Sequence, residues 1–168
     1  MKYILETERL RLRQFELTDA EFIVEIVNTP GWLKFIGDRN VKTTEDAIRY
    51  LQNGPMKSYQ ENGFGLWSVA LKENRKQIGM CGILKRDSLE NPDIGFAFLP
   101  EFSGMGYAFE MALATVNYAK NKLGLKTLSA ITIPSNEKSI RLLEKIGFTF
   151  TKVVTDPKNN TELRLYTY

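Results

Sequence analysis

The most constraining stretch of the chain runs from residue 93 to residue 133. Asp93-Ile-Gly-Phe-Ala-Phe-Leu99 has the composition of a short buried strand, and Pro100 ends it by removing a ladder donor. Two glycines follow, Gly104 and Gly106. Phe109, Ala112, Leu113, Val116 and Leu123 then recur at helical spacing up to Gly124, a suitable C-cap. Thr127-Leu-Ser-Ala-Ile-Thr-Ile133 is strand-like again. Strand, helix and strand in this order imply a crossover that joins two parallel strands.

The flanking segments favour antiparallel pairing. Leu10–Phe15 alternates apolar and polar residues, as a half-buried strand does. Phe64–Leu71 and Gln77–Leu84, joined by the polar loop Lys72–Lys76, read as a hairpin. Phe148–Thr155 and Leu163–Thr167 flank the turn Pro157-Lys-Asn-Asn160. A capping box at Thr18–Glu21 opens a helix carrying Phe22, Ile23, Ile26 and Val27, which stops at Asn28-Thr-Pro-Gly31. A second helix is expected from Thr44 to Asn53, and a third, with Ile140, Leu143 and Ile146, between Ser135 and Gly147. Trp32–Gly37 reads as an irregular aromatic stretch. The expected class is α+β: a mixed, mostly antiparallel, seven-stranded sheet with one central parallel pair and helices on both faces. With no repeat, low-complexity tract or linker, residues 1–168 read as one domain.

Composition narrows the chemistry. Histidine is absent and cysteine occurs once, as Cys81, so Ser-His-Asp, Cys-His and His-metal schemes are removed and no metal site is expected. A single cysteine forms no internal disulfide and suits a reducing cytoplasm. Net charge is only +3, with no Lys/Arg stripe of the kind a nucleic-acid groove needs. No apolar run of about 18 residues is present, so no membrane span is expected, and Met1–Arg13 is too charged for a signal peptide.

Chemistry is then sought at the turn between strand and helix. Two glycines spaced by one residue let the backbone turn sharply with its amides outward. The helix behind them adds unpaired N–H groups and a partial positive charge. The alternative is a tight turn with no ligand, which the glycines alone do not exclude. The dinucleotide fingerprint needs a third glycine and a downstream acid, and the P-loop needs Gly-Lys-Ser/Thr; neither is present.

Ser103-Gly-Met-Gly-Tyr-Ala108 resembles the acyl-CoA loop of the GNAT N-acetyltransferase superfamily, (Gln/Arg)-x-x-Gly-x-(Gly/Ala), with Ser103 in place of the usual Gln or Arg. The run FLPEFSGMGYAFE is similar to the RimJ/RimL-like branch. Asn136-Glu-Lys-Ser139, continuing to Gly147-Phe148, resembles the family's second motif, and Glu6–Arg13 resembles its opening strand. Asn136 and Gly147 also read simply as helix caps.

The resemblance implies acetyl-CoA as donor, no metal, and direct attack of an amine on the thioester. It further implies that the two parallel strands splay and that pantetheine lies in the gap. Ala97, Phe98 and Leu99 would offer backbone groups to it. Ser103, Gly104, Met105, Gly106, Tyr107, Ala108 and Phe109 would surround the pyrophosphate. Asn136 would contact the cofactor from across the gap, and Ser139 near the thiol. An N–H on the Phe98 strand would stabilise the oxyanion. Leu143 stands where many members carry a Tyr acid, so Ser139 is a candidate acid, with a local backbone bond as its other reading. The attacking amine must be neutral, so a base or water relay is required. Glu101 and then Asp93 are the carboxylates to consider. Cys81, without a histidine, is read as core rather than nucleophile. Trp32 and Phe35 are expected at the acceptor site, whereas Phe64 and Trp67 are expected in the core. The acceptor would be a protein N-terminal amine or a small-molecule amine. Terminal strands could pair in a homodimer. The departures at Ser103 and Leu143 keep a second expectation, a non-catalytic acyl-CoA-binding or sensor protein.

Overall fold

A computed structural model describes residues 2–168. The chain builds one eight-stranded sheet: β1 (Leu5–Glu6), β2 (Leu10–Gln14), β3 (Leu66–Leu71), β4 (Gln77–Leu84), β5 (Asp93–Phe98), β6 (Ser129–Thr132), β7 (Thr149–Thr155) and β8 (Glu162–Thr167). The spatial order is β1-β2-β3-β4-β5-β6-β8-β7. All neighbours are antiparallel except β5 and β6. The extra strand corrects the expected seven. Thr7, Glu8 and Arg9 turn the chain so that Leu5 and Glu6 fold back on Leu12 and Arg11. Two residues are too few to show a period of two, so composition could not reveal that strand.

Four helices precede β3: α1 (Ala20–Val27), α2 (Pro30–Phe35), α3 (Thr44–Asn53) and α4 (Pro55–Asn62). Two follow β5: α5 (Tyr107–Asn121) and α6 (Glu137–Ile146). The expected capping box at Thr18–Glu21 is not formed: Asp19 holds the N-cap position of α1 without a side-chain bond to the helix and closes the preceding 3-10 turn, Leu17–Asp19, instead. Its carboxylate accepts the Glu16 N–H at 2.8 Å and also receives Arg13 and Gln77. Asp19 therefore ties the start of α1 to β2 and β4. The stretch read as irregular at Trp32–Gly37 is mostly helical, because Thr29 caps it and Pro30 occupies its first turn. Pro55 likewise occupies the first turn of α4, there without a side-chain cap.

Two apolar layers flank the sheet. On one side α5 and α6 cover Leu10, Trp67, Ile83 and Ile94. On the other, α1–α4 bring Ile23, Ile26, Trp32 and Leu51 against Phe15, Met80 and Leu99. Strand β4 is buried almost throughout, which explains its continuous apolar sequence. Its Gly82 is obligatory in another sense: a Cβ there would lie 2.0 Å from the carbonyl oxygen of Gly65.

Candidate active site

The parallel pair does not stay together. Strands β5 and β6 share one aligned pair, Asp93 with Ser129, held by the Ser129 N–H donating to the Pro92 carbonyl at 2.9 Å. Strands β4 and β5, in contrast, stay in register from Leu84–Asp93 to Gly79–Phe98. Beyond its first residue β5 therefore leaves β6, and a wedge opens with Asp93 and Ser129 at its vertex.

Backbone alternation settles which groups face the wedge. The Leu99 N–H donates to the Ile78 carbonyl at 2.8 Å, so Leu99 turns toward β4, as does Ala97 two residues before it. Phe96 and Phe98 turn the other way. On the opposite wall the Tyr168 N–H donates to the Leu128 carbonyl, which sets Leu128 and Ala130 toward β8 and Ile131 toward the wedge. Of the three β5 residues expected to offer backbone groups, only Phe98 faces the gap. Ala97 and Leu99 are committed to β4, and Leu99 is buried in the α1–α4 core. Phe96 and Ile131 join Phe98 instead.

At the open end lie the C-terminal ends of both parallel strands, each leading to a helix N-terminus, where open α/β sheets characteristically bind ligands. Gly104 and Gly106 have φ of +77° and +83°, left-handed conformations that disfavour a side chain. The first bond into α5 runs from the Glu110 N–H to the Gly106 carbonyl at 3.0 Å. No N–H from Gly104 through Phe109 finds an acceptor among the described residues. Ser103, Gly104, Met105 and Gly106 are exposed, while Tyr107, Ala108 and Phe109 are half-buried. The loop is also ringed by cations. Lys76 Nζ lies 5.4 Å from the Phe102 ring, Lys145 Nζ 4.2 Å from the Phe109 ring, and the Arg9 guanidinium 4.3 Å from the Tyr107 ring. Unspent amides, a helix N-terminus and this positive rim fit a diphosphate.

Across the opening, Asn136 caps α6 by accepting the Ser139 N–H on Oδ1 at 3.3 Å. That is the local capping role, and it leaves the Asn136 amide NH2 available. Ser139 is half-buried, and its hydroxyl makes no hydrogen bond among the described residues. Leu143 is 1% exposed and sits in the core, so this helix offers no acid at that position.

The carboxylates lie at opposite ends. Glu101 is exposed in the 3-10 turn Pro100–Phe102, beside the glycine loop. Asp93 is 1% exposed at the vertex and receives Arg86 Nε at 3.1 and 3.2 Å. Burial pushes its carboxyl up to about 6, against the pull of Arg86. Cys81 is buried and 3.3 Å from Thr115 Oγ1, and burial raises its thiol to about 12, which makes it inert. Trp32, expected at the acceptor site, is 5% exposed and packs within the α1–α4 core. Phe35, at the end of α2, is half-buried with Lys34 Nζ 5.0 Å from its ring. Phe64 and Trp67 are in the core.

Sequence reasoning missed Arg9 and Glu110. Their link spans about a hundred positions of chain; the signals were that Arg9 lies within the segment resembling the family's opening strand and that Glu110 ends the run FLPEFSGMGYAFE.

Residues 9–149 match the family model described as "Acetyltransferase (GNAT) domain". The uncharacterised N-acetyltransferase YoaA of Bacillus subtilis (strain 168) is 33% identical over 146 residues, covering 86% of this chain and 82% of YoaA. Among solved structures, a GNAT-family acetyltransferase from Bacillus anthracis superposes with a TM-score of 0.80 at 26% identity, covering 98% of this chain and 96% of that one. RimL, a ribosomal L7/L12 α-N-protein acetyltransferase in complex with coenzyme A, has the same fold at 14% identity, with a TM-score of 0.82 over 99% of this chain and 97% of its own. A wedge between parallel strands, an amide-lined loop at its mouth and these matches converge: the chain belongs to the GNAT family, enzymes that transfer an acetyl group from acetyl-CoA.

Proposed function

We propose that this enzyme acetylates a primary amine, either a protein N-terminal amine or a small-molecule amine, by direct attack on the thioester of acetyl-CoA seated in the β5/β6 wedge. The observation that carries this reading is the splay. One aligned pair joins the strands, and the backbone groups of Phe96, Phe98 and Ile131 turn into the gap beyond it. Acetyl-CoA supplies an activated acyl group on a thiolate leaving group.

The chain's residues then have distinct tasks. Gly104, Met105, Gly106, Tyr107, Ala108 and Phe109 offer amides to the diphosphate, with Ser103 at the loop's edge. Phe98 and Phe96 replace the lost ladder with bonds to the pantetheine amides. A wedge-facing N–H on β5 supports the carbonyl oxygen as negative charge develops there. Asn136 contributes its free amide from the facing wall. Ser139, with an unspent hydroxyl, is the group assigned to protonate the departing thiolate.

With the diphosphate at the loop, the long pantetheine arm carries the thioester toward the vertex. Glu101 stands at the diphosphate end, so its position does not support a role as base. Asp93 lies at the closed end, roughly 17 Å from Phe98 at about 3.3 Å of rise per residue. The amine proton is therefore assigned to a water relay ending toward Asp93. Phe35 is the remaining aromatic candidate for acceptor contact.

Gly106→Trp tests the donor site. The variant should lose the rise in unfolding midpoint that acetyl-CoA gives the parent, since a ligand that binds only the native state stabilises it. Equal protection of parent and variant would refute the loop assignment. Ser139→Ala should lower kcat more than it raises the acetyl-CoA KM; a change in KM alone would make Ser139 a binding residue. Thiol release from acetyl-CoA, assayed against peptide N-termini, polyamines and aminoglycosides, identifies the acceptor. Tight CoA binding with no release to any amine would favour the sensor reading.

A further inference from the structure

We propose that Arg9 is a donor-binding residue that both fixes the glycine loop and supplies, from just before β2, the long cationic side chain that Ser103 does not provide. This rests on the reading that the loop holds the diphosphate of acetyl-CoA.

Arg9 is committed to the loop on three sides. Its Nε donates to Glu110 Oε1 at 2.8 Å, and its backbone N–H donates to Glu110 Oε2 at 3.0 Å. Its Nη1 donates to the Met105 carbonyl at 3.1 Å. Its guanidinium lies 4.3 Å from the centre of the Tyr107 ring. Met105 lies between the two left-handed glycines, so holding its carbonyl fixes the peptide that separates them. With that oxygen turned to Arg9, the neighbouring amides are left to face a ligand.

The fourth contact is the informative one. Arg9 Nη2 makes no hydrogen bond among the described residues, and it lies 3.4 Å from where a Cβ on Gly106 would be. An unspent guanidinium N–H therefore sits against the face of the loop that the glycine leaves bare. A guanidinium has several donors in a rigid fork and can hold a carboxylate, a carbonyl and a phosphate oxygen at once.

Glu110 explains why an arginine is needed there. A carboxylate in the first turn of α5 favours the helix but repels an anion at the same N-terminus. Partial burial pushes this carboxyl up, yet hydrogen bonds from Thr7 Oγ1 and Arg9 outweigh it and hold the group below the usual range, so it is charged at neutral pH. Arg9 neutralises that charge, so the loop amides, Lys76 and Lys145 face a ligand without it. The same ion pair staples the β1–β2 turn to α5.

The test is steady-state kinetics of Arg9→Gln and Arg9→Lys with two donors, acetyl-CoA and S-acetyl-pantetheine, which lacks the diphosphate. For Arg9→Gln the acetyl-CoA KM should rise about tenfold, the loss of one charge-assisted bond to phosphate. Its kcat should stay within twofold, and kcat/KM for S-acetyl-pantetheine should match the parent's. Arg9→Lys keeps the charge without the fork and should recover part of the acetyl-CoA KM. An acetyl-CoA KM within twofold of the parent's in Arg9→Gln overturns the proposal. So does an equal fall in kcat/KM for both donors, which is the signature of a structural staple. Should Arg9→Gln not fold, Arg9→Lys carries the same comparison. A parent enzyme that acetylates no amine and gains no heat protection from acetyl-CoA would instead overturn the donor-site reading itself.

Discussion

Asp93→Asn isolates one buried charge at the wedge vertex. Asp93 is 1% exposed, and its one ionic partner among the described residues, Arg86, is itself partly exposed. Burial is the larger influence and pushes the carboxyl from its ordinary 3.8 up to about 6. Its folded pKa thus lies above its unfolded one, so the native state holds this proton more tightly. The stability it contributes is complete below about pH 4 and is lost as pH rises through about 6. The gap between 3.8 and about 6 corresponds to about 3 kcal/mol. Asp19, Asp38, Asp46 and Glu110 behave oppositely: their folded pKa values are lowered, so the stability they give is lost only as pH falls below their ordinary range. The two windows barely overlap. Urea unfolding of the parent and Asp93→Asn, measured in steps from pH 4 to pH 7.5, separates them, because every other group cancels in the difference. Parent minus variant should fall by about 3 kcal/mol between pH 4 and pH 7 and then level off. A flat difference would refute the burial argument. A difference that rises with pH would mean that the Arg86 attraction outweighs desolvation.

Three further outcomes follow from the packing. Asp19→Ala strands Arg13, which donates to Asp19 through Nη1 at 2.8 Å and Nη2 at 2.9 Å, and should cost about 3–5 kcal/mol in urea unfolding. A loss under 1 kcal/mol would mean that the pair is solvent-screened. Gly82→Ala drives a Cβ to 2.0 Å from the Gly65 carbonyl oxygen, where only backbone can yield, so β3 must shift away from β4. The unfolding midpoint should drop by more than 5 °C, a destabilisation of at least about 1–3 kcal/mol. Trp32→Ala should cost about 3–5 kcal/mol by opening a core cavity, while Trp32→Phe should cost less, since the indole Nε1 is buried without a partner. An unchanged stability with a raised acceptor KM in Trp32→Ala would return Trp32 to the substrate site.

Much of the frame was legible because it is written in local chemistry. The apolar runs at Leu66–Leu71, Gln77–Leu84 and Asp93–Phe98, the helix start at Thr44 and the glycines ahead of α5 each announce their element within a few residues. What was misread had weak or split local signals. The two residues of β1 are too short for a pattern, and α2 hides an N-cap and a first-turn proline behind an aromatic cluster. The side of the wedge that each β5 residue faces cannot be read from composition at all. It depends on parity, and parity is set by one bond, from the Leu99 N–H to the Ile78 carbonyl.

By itself the sequence determined that a strand, a glycine turn and a helix would follow one another from Asp93 to Asn121, with a parallel strand after them. Glycine at positive φ, proline at a strand end and a 3.6-residue period are properties of neighbouring residues, so they survive without the rest of the molecule. Tertiary structure alone decided that β5 and β6 part after one aligned pair, that Phe96 and Ile131 face the gap, and that Arg9 closes on Met105 and Glu110. Those facts depend on contacts between segments far apart in the chain. Their geometry exists only once the sheet order is set and each strand's backbone groups have been shared between two neighbours.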